Sequence, residues 1–138
     1  MTCFWDGLIN ALGEPLLKQV LKCTIKKKIT SPKKFVKALK QKNEPTKDVE
    51  WNGPPMTEEF REKFLEENRK FIKEFDVDSI DDGYYCRADD PFLFLVSQLF
   101  GVTIEHDLVG NRMTYTNTRT PDGKVLRLVS NRGHLWVR

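Results

Sequence analysis

The sequence predicts an α+β protein whose helices come first and whose small sheet comes last. From Phe4 to Phe100 most apolar residues recur at helical spacing, whereas from Val102 to Arg138 they alternate in four short stretches. Turn-forming residues at 108–111, 121–123 and 131–133 separate these stretches, which predicts a C-terminal antiparallel β-meander. A length of 138 residues fits a single domain over 1–138.

Three short helices are predicted in the N-terminal third. The first is 4–12, with Thr2 or Cys3 at its N-cap and Gly13 at its end. Pro15 suits the first turn of the second helix, and Ser31-Pro32 is an N-cap and N1 pair that begins a lysine-coated third helix.

Two longer apolar segments follow a turn-rich connector at 43–55. Thr57 begins the longest helix, whose predicted apolar stripe runs from Phe60 to Phe75. Asp90-Pro91 begins a nearly all-apolar helix that Gly101 ends. A helix that is apolar all round is expected in the centre of the fold.

Composition excludes several classes of protein. Apolar residues make up 39% of the chain and aromatic residues 11%, which is too many for a disordered tail. The sequence contains neither an apolar run that could span a bilayer nor the pattern of a signal peptide, so no membrane association is expected. The three cysteines, Cys3, Cys23 and Cys86, are odd in number and widely spaced, which favours a reducing, cytoplasmic compartment.

The net charge of +3 hides a basic segment. Between Lys18 and Lys47 there are eleven lysines and one acidic residue, Glu44. Such a segment is either a solvated helix face or a phosphate-binding face. The second interpretation gives the alternative function, a non-catalytic module that binds ubiquitin or RNA through residues 18–47. No metal-ligand spacing and no nucleotide-binding glycine motif occurs, so neither a metal nor a cofactor is expected.

Cys3 is the candidate nucleophile. It stands at the start of an amphipathic helix, where the helix dipole favours a thiolate, and it needs an imidazole to move protons. Only His106 and His134 are present. His134 begins the last predicted strand, whereas His106 is expected to be a satisfied surface or core group. A pairing of His106 with Cys86 is disfavoured because the acidic stretch around Cys86 would raise the thiol pKa.

These residues resemble the ovarian-tumour (OTU) family of papain-like cysteine proteases. The segment from Cys3 to Leu12 is similar to the start of that family's catalytic helix, and Gly133-His134-Leu135-Trp136 is similar to its terminal histidine element. The helix after Asp90-Pro91 and the strand 102–104 resemble the helix and strand that precede its closing β-meander. The order of elements matches over nearly the whole chain, and its compactness resembles the viral members.

The resemblance implies a thiol protease of papain-like fold that acts as a deubiquitinase. Such an enzyme hydrolyses the isopeptide bond after the C-terminus of ubiquitin or a ubiquitin-like protein. A viral member would act in the host cytoplasm in immune evasion, and some also cleave a viral polyprotein. The resemblance assigns the nucleophile to Cys3 and the general base and acid to His134.

A third catalytic residue is less well defined. Position i+2 from His134 shares its face of the strand and holds Trp136, which cannot accept the imidazole N–H. The sequence therefore favours a Cys–His dyad, with Asn131 across the turn as a possible third member.

The substrate cleft would be narrow, because the ubiquitin tail ends in two glycines. Trp136, Tyr84 and Tyr85 are the candidate walls, with core packing as the alternative for at least one of them. The arginines of the tail call for carboxylates, and Asp81 and Asp82 lie in an acidic segment that could supply them. The alternative for this segment, which also includes Asp76, Asp78, Asp89 and Asp90, is a solvated loop followed by a helix cap.

Overall fold

A computed structural model describes residues 3–21, 31–52, 57–87, 89–131 and 134–137, and at 131 and 134–137 it describes the backbone alone. The described elements, in chain order, are α1 Cys3–Leu12, α2 Glu14–Leu21, α3 Pro32–Gln41, β1 Val49–Trp51, α4 Glu58–Glu74, a 3-10 helix Val77–Asp82, α5 Pro91–Phe100, β2 Thr103–Leu108, β3 Asn111–Asn117, β4 Val125–Asn131 and β5 His134–Val137. This order confirms the predicted α+β class. Thr2, Cys23, the lysines at 22–28, and 53–55 of the predicted connector lie outside the described residues.

The predicted helix ends are confirmed where local chemistry sets them. Thr57 Oγ1 accepts a hydrogen bond from the Phe60 N–H, and Asp90 accepts from the N–H groups of Phe92 and Leu93. Gly101 ends α5 in the left-handed conformation, with φ of 64°. Each of these contacts spans at most four residues, so the sequence alone encodes it.

The sheet is mixed, and the predicted antiparallel meander is wrong. The strand order is β1-β3-β2-β4-β5, in which β2 and β4 pair in parallel and the other neighbours pair antiparallel. After β3 the chain crosses the start of β2 and continues on its far side. The free edge of β3 instead pairs with β1, a strand inside the segment predicted to be a connector.

A close backbone approach accompanies this crossing. The Lys124 carbonyl accepts from the Thr103 N–H at 3.0 Å, and Thr120 Oγ1 donates to the Gly101 carbonyl at 3.0 Å. A Cβ on Gly123 would lie 2.4 Å from the Gly101 carbonyl oxygen. Glycine at position 123 therefore lets the crossing segment pack on the junction between α5 and β2.

Helix α1 packs on β5, and its C-terminal end is held at the start of β4. The Lys124 ammonium donates to the carbonyl groups of Ala11 and Leu12 at 2.9 and 3.4 Å. A cation at the last carbonyls of a helix satisfies acceptors that have no partner within the helix. The residues of α1 also supply the centre of the core, where fully buried Trp5 lies among aromatic rings from Phe4, Phe35, Phe75, Tyr84 and Phe92.

The predicted apolar stripe of α4 is only partly buried. Ile72 is 1% exposed, but Phe60 is 56% exposed and the polar Asn68 is buried. The prediction that Phe60 belongs to the buried stripe is therefore wrong, because no other described element covers its side chain at the N-terminal end of the helix. Among the described helices, none is long and apolar enough to cross a membrane.

Candidate active site

The two predicted catalytic residues begin two elements that pack together. Cys3 is the first residue of α1 and is half-buried. His134 is the first residue of β5, where its backbone pairs with that of Asn131 at the end of β4. Trp136 pairs with Val129 in the same ladder. The side chains of Asn131, His134 and Trp136, and the whole of residues 132 and 133, lie outside what the structure describes.

A short segment of chain connects the first turn of α1 to the end of β4. The Tyr84 ring packs on Phe4 and Trp5, with centroid separations of 4.7 and 5.1 Å. Cys86 Sγ lies 3.3 Å from Ser130 Oγ. Because Tyr84 and Cys86 are two residues apart, their Cα atoms are at most about 7 Å from each other. One short segment of chain therefore contacts both the first turn of α1 and the end of β4.

The candidate cleft residues have different environments. Tyr84 is buried in the core, which is the alternative role that the sequence left open, and its hydroxyl donates to Asp90 Oδ2 at 2.8 Å. Tyr85 is 73% exposed. Asp81 and Asp82 are exposed at the end of the 3-10 helix.

Asp90 has the helix-cap role, not a substrate-binding role. Its carboxylate is fully buried and accepts hydrogen bonds from Tyr84 and from the N–H groups of Arg87, Phe92 and Leu93. Burial raises the pKa of Asp90 to about 6 against the opposing effect of these donors. The carboxylate is therefore not accessible to an arginine of a substrate.

Cys86, His106 and Ser130 form a hydrogen-bonded cluster that the sequence analysis did not predict. His106 Nε2 lies 2.5 Å from Ser130 Oγ and 3.7 Å from Cys86 Sγ. His106 is 1% exposed and Ser130 is 2% exposed, whereas Cys86 is half-buried. The structure thus brings together the Cys86–His106 pair that the sequence disfavoured. The missed member is Ser130, whose inward position follows from the buried alternation of Leu126 and Leu128 along β4.

The electrostatics of this cluster keep both titratable groups neutral. Burial raises the pKa of the Cys86 thiol to about 11, and burial lowers the pKa of His106 to about 4. The predicted rise in the pKa of the Cys86 thiol is thus confirmed. The main cause of the rise is burial, and Asp90 makes a smaller contribution. A neutral thiol beside a neutral imidazole is a poor nucleophile.

The hydrogen bonds favour one arrangement of protons. His106 Nδ1 is buried and has no hydrogen-bond partner among the described residues. An unpartnered acceptor is tolerated more readily than an unpartnered N–H donor, which favours the tautomer with its proton on Nε2. In this arrangement His106 donates to Ser130 Oγ, and the Ser130 hydroxyl donates to Cys86 Sγ. A donor to sulfur stabilises the thiolate, in agreement with the lowering effect of Ser130 on the Cys86 pKa.

The basic segment is partly neutralised by carboxylates. Lys33 Nζ lies 3.0 Å from Asp78 Oδ1, and this ammonium group lowers the pKa of the Asp78 carboxyl. Lys18 lies 2.9 Å from Glu14, and Lys47 pairs with a carboxylate of α4. These pairs reduce the positive field that a polyanion would meet along the described part of residues 18–47.

A cavity of about 440 Å³ opens on the strands β2, β3 and β4. Its charged lining includes Glu105 and Arg127, which pair at 3.1 Å, together with Asp107 and Arg112. Of the described residues that the sequence singled out, only His106 lines it. Within the described ranges, no group of three or more His, Cys, Asp or Glu side chains is placed to hold a metal ion.

Comparisons with known protein families, with curated proteins and with solved structures find no match for this chain.

Proposed function

We propose that the protein is a papain-like cysteine isopeptidase of the ovarian-tumour type that hydrolyses the bond after the C-terminal glycine of ubiquitin or a ubiquitin-like protein. The observation that supports this most is the packing of α1, which begins at Cys3, on β5, which begins at His134. The segment that carries Tyr84 and Cys86 adds support, because it contacts both the first turn of α1 and Ser130, which is next to the pair formed by Asn131 and His134.

The direction of α1 gives independent support. Lys124 holds the C-terminal end of α1 at the start of β4, and β5 runs antiparallel to β4. A ten-residue helix is about 15 Å long and a seven-residue strand about 20 Å. Since α1 contacts β5, this arrangement favours a position of Cys3 near the end of β5 that carries His134.

The proposed reaction proceeds through a thioester. The Cys3 thiolate attacks the glycine carbonyl carbon, a C–S bond forms, and the Cys3 N–H is one donor to the resulting oxyanion. The C–N bond then breaks as the His134 imidazolium gives its proton to the leaving lysine amine. Water adds to the thioester while His134 accepts a proton, the C–S bond breaks, and the ubiquitin carboxylate leaves.

The substrate contacts follow from the same geometry. Exposed Tyr85 is next to Tyr84, which packs on the first turn of α1, so we assign it to the cleft wall together with Trp136. We assign Asp81 and Asp82 to the arginines of the ubiquitin tail. If the protein is viral, this activity would remove ubiquitin from proteins in the cytoplasm of the host cell, and a viral polyprotein would be a second substrate.

The nucleophile is tested with ubiquitin that carries a C-terminal electrophile. The wild-type chain should gain the mass of one ubiquitin, and peptide mapping should locate the adduct at Cys3. Cys3→Ala should form no adduct, whereas the control Cys23→Ala should react like the wild type. An adduct at Cys86 or Cys23 would reassign the site, and an unreactive wild type would contradict the proposal.

The general base is tested by turnover. His134→Ala should abolish hydrolysis of a fluorogenic ubiquitin amide while the circular dichroism spectrum stays that of the wild type. Retention of most activity would contradict the dyad. Binding of ubiquitin without an adduct, or binding of RNA that weakens steeply with salt, would instead support the non-catalytic alternative.

A further inference from the structure

Three separate parts of the chain meet at the Ser130 hydroxyl. His106 lies in the middle of β2, and Ser130 is the second-last residue of β4. Cys86 lies in the segment between the 3-10 helix and α5. The contacts to Ser130 join residues 24 and 44 positions away. The cluster therefore connects two neighbouring strands to a segment that belongs to neither.

The segment that carries Cys86 is fixed on its other sides. The Arg87 N–H donates to Asp90 Oδ2 at 3.2 Å, and the Arg87 guanidinium lies 4.8 Å from the centre of the Phe71 ring. Tyr84 contacts both Asp90 and the rings at the start of α1. The contact between Cys86 and Ser130 therefore joins β4 to a segment that is itself attached to α1 and α5.

The end of β4 in turn determines where β5 begins. In the described sheet β5 is an edge strand and pairs only with β4. Ser130 pairs with Leu135, directly beside the pair formed by Asn131 and His134. The Ser130 carbonyl also accepts from the Val109 N–H at 3.0 Å, which ties the same residue to the end of β2.

We propose that Cys86, His106 and Ser130 are positioning residues that fix the separation between the start of α1 and the start of β5. This positioning role rests on the proposed function, because the cluster can affect catalysis only if Cys3 and His134 react together. It is neutral and largely buried, so it acts through backbone position and not by exchanging protons with the substrate. A shift of about 1 Å between two reacting groups can cost about 100-fold in rate.

The test measures kcat and KM of the full chain with a fluorogenic ubiquitin amide. Ser130→Ala and Cys86→Ala should lower kcat about tenfold or more and change KM less than about twofold, because the cluster aligns the reacting groups without touching ubiquitin. Cys86→Ser should recover most of the kcat lost in Cys86→Ala, because its hydroxyl can still hydrogen-bond to Ser130.

The matched control is Ser97→Ala. Ser97 is also fully buried, and its hydroxyl donates to the Val102 carbonyl at 2.6 Å. Val102 precedes the start of β2, which pairs with the start of β4, whereas His134 pairs with the end of β4. Its loss should lower stability and leave kcat within about twofold of the wild type, since it removes a hydrogen bond without moving the site. If Ser130→Ala does not fold, the Cys86 variants decide the question, because that side chain is only half-buried.

The possible failures are distinguishable. A wild type that forms no Cys3 adduct refutes the proposed function and the positioning role with it. A reactive wild type with an unchanged kcat in both alanine variants refutes the positioning role alone. An equal loss of kcat in Ser97→Ala would also overturn it, because the effect would then follow stability and not position.

Discussion

The Tyr84 hydroxyl donates a hydrogen bond to Asp90 Oδ2 at 2.8 Å. This buried bond joins the aromatic core around α1 to the N-terminus of α5. Burial raises the pKa of Tyr84 well above its usual range, so the phenol keeps its proton. The same carboxylate accepts hydrogen bonds from three backbone N–H groups. Asp90 thereby holds the segment that carries Cys86 against the central helix.

Tyr84→Phe should lower the free energy of unfolding by about 2 kcal/mol, the range for a buried hydrogen bond to a charged group. It should also raise the pKa of Asp90, because the Tyr84 hydrogen bond lowers it. Urea denaturation at neutral pH measures the change. Tyr85→Phe is the control, and it should change stability by less than about 0.5 kcal/mol because Tyr85 is exposed. Equal effects of the two substitutions would contradict the buried hydrogen bond.

The stability of the protein should depend on the protonation of His106. The folded-state pKa of about 4 lies below the ordinary value of 6.5, so the unfolded chain binds the proton more readily. The contribution of neutral His106 is therefore complete above pH 6.5 and is lost as the pH falls towards 4, by about 3 kcal/mol in total.

The comparison that isolates this effect is wild type against His106→Gln. Asp90 acts in the opposite direction, because its folded-state pKa of about 6 is raised above 3.8 and its contribution is lost as the pH rises through that range. Both proteins retain Asp90, so the difference between their denaturation curves at pH 7 and pH 4 reports His106. Parallel stability profiles would show that His106 does not titrate in this way.

Cys86 should react slowly with alkylating reagents. Its pKa of about 11 is two units above the ordinary 9.0, so near neutral pH its thiolate is about 100-fold less abundant than that of an ordinary cysteine. A time course with iodoacetamide, followed by peptide mapping, measures the rate, which should keep rising with pH towards 11. In concentrated urea all three cysteines should react at similar rates. Rapid modification of Cys86 in the folded protein would contradict its burial.

Gly123→Ala should be much more destabilising than Gly110→Ala. A Cβ at position 123 would meet the Gly101 carbonyl oxygen at 2.4 Å, so either the crossing segment or α5 must shift. At Gly110 no atom lies within 4 Å of the added Cβ, and only the φ of +85° opposes the change. The expected costs are more than about 2 kcal/mol at 123 and about 1 kcal/mol at 110. Thermal denaturation checks the order, and equal costs would contradict the close crossing.

Lys124→Met should loosen α1 at its C-terminal end. The substitution removes the cation from the Ala11 and Leu12 carbonyl groups, at a cost of about 1 kcal/mol. Hydrogen exchange should show faster opening of the α1 amides. Lys70→Met is the control, because Lys70 is exposed on α4 and its loss should leave exchange in α1 unchanged.

Local chemistry in the sequence determined where helices begin and end. Thr57 and Asp90 cap their helices and Gly101 ends α5 through contacts within about one turn, so no knowledge of the fold was needed to predict them. The same reasoning predicted the order of helices and strands, because hydrophobic period is also a property of neighbouring residues. It did not predict that Phe60 stays exposed, since exposure depends on which other element covers a face.

The sequence by itself thus determined the α+β class, most helix ends and the choice of Cys3 and His134 as candidates, which remain predictions. Only the tertiary structure decided that β4 lies parallel to β2 and that Cys86, His106 and Ser130 meet. The physical reason is the separation along the chain over which each interaction acts. Caps and periodicity act over a few bonds, whereas strand pairing and buried polar contacts depend on how segments 20 to 44 residues apart in the chain share one core.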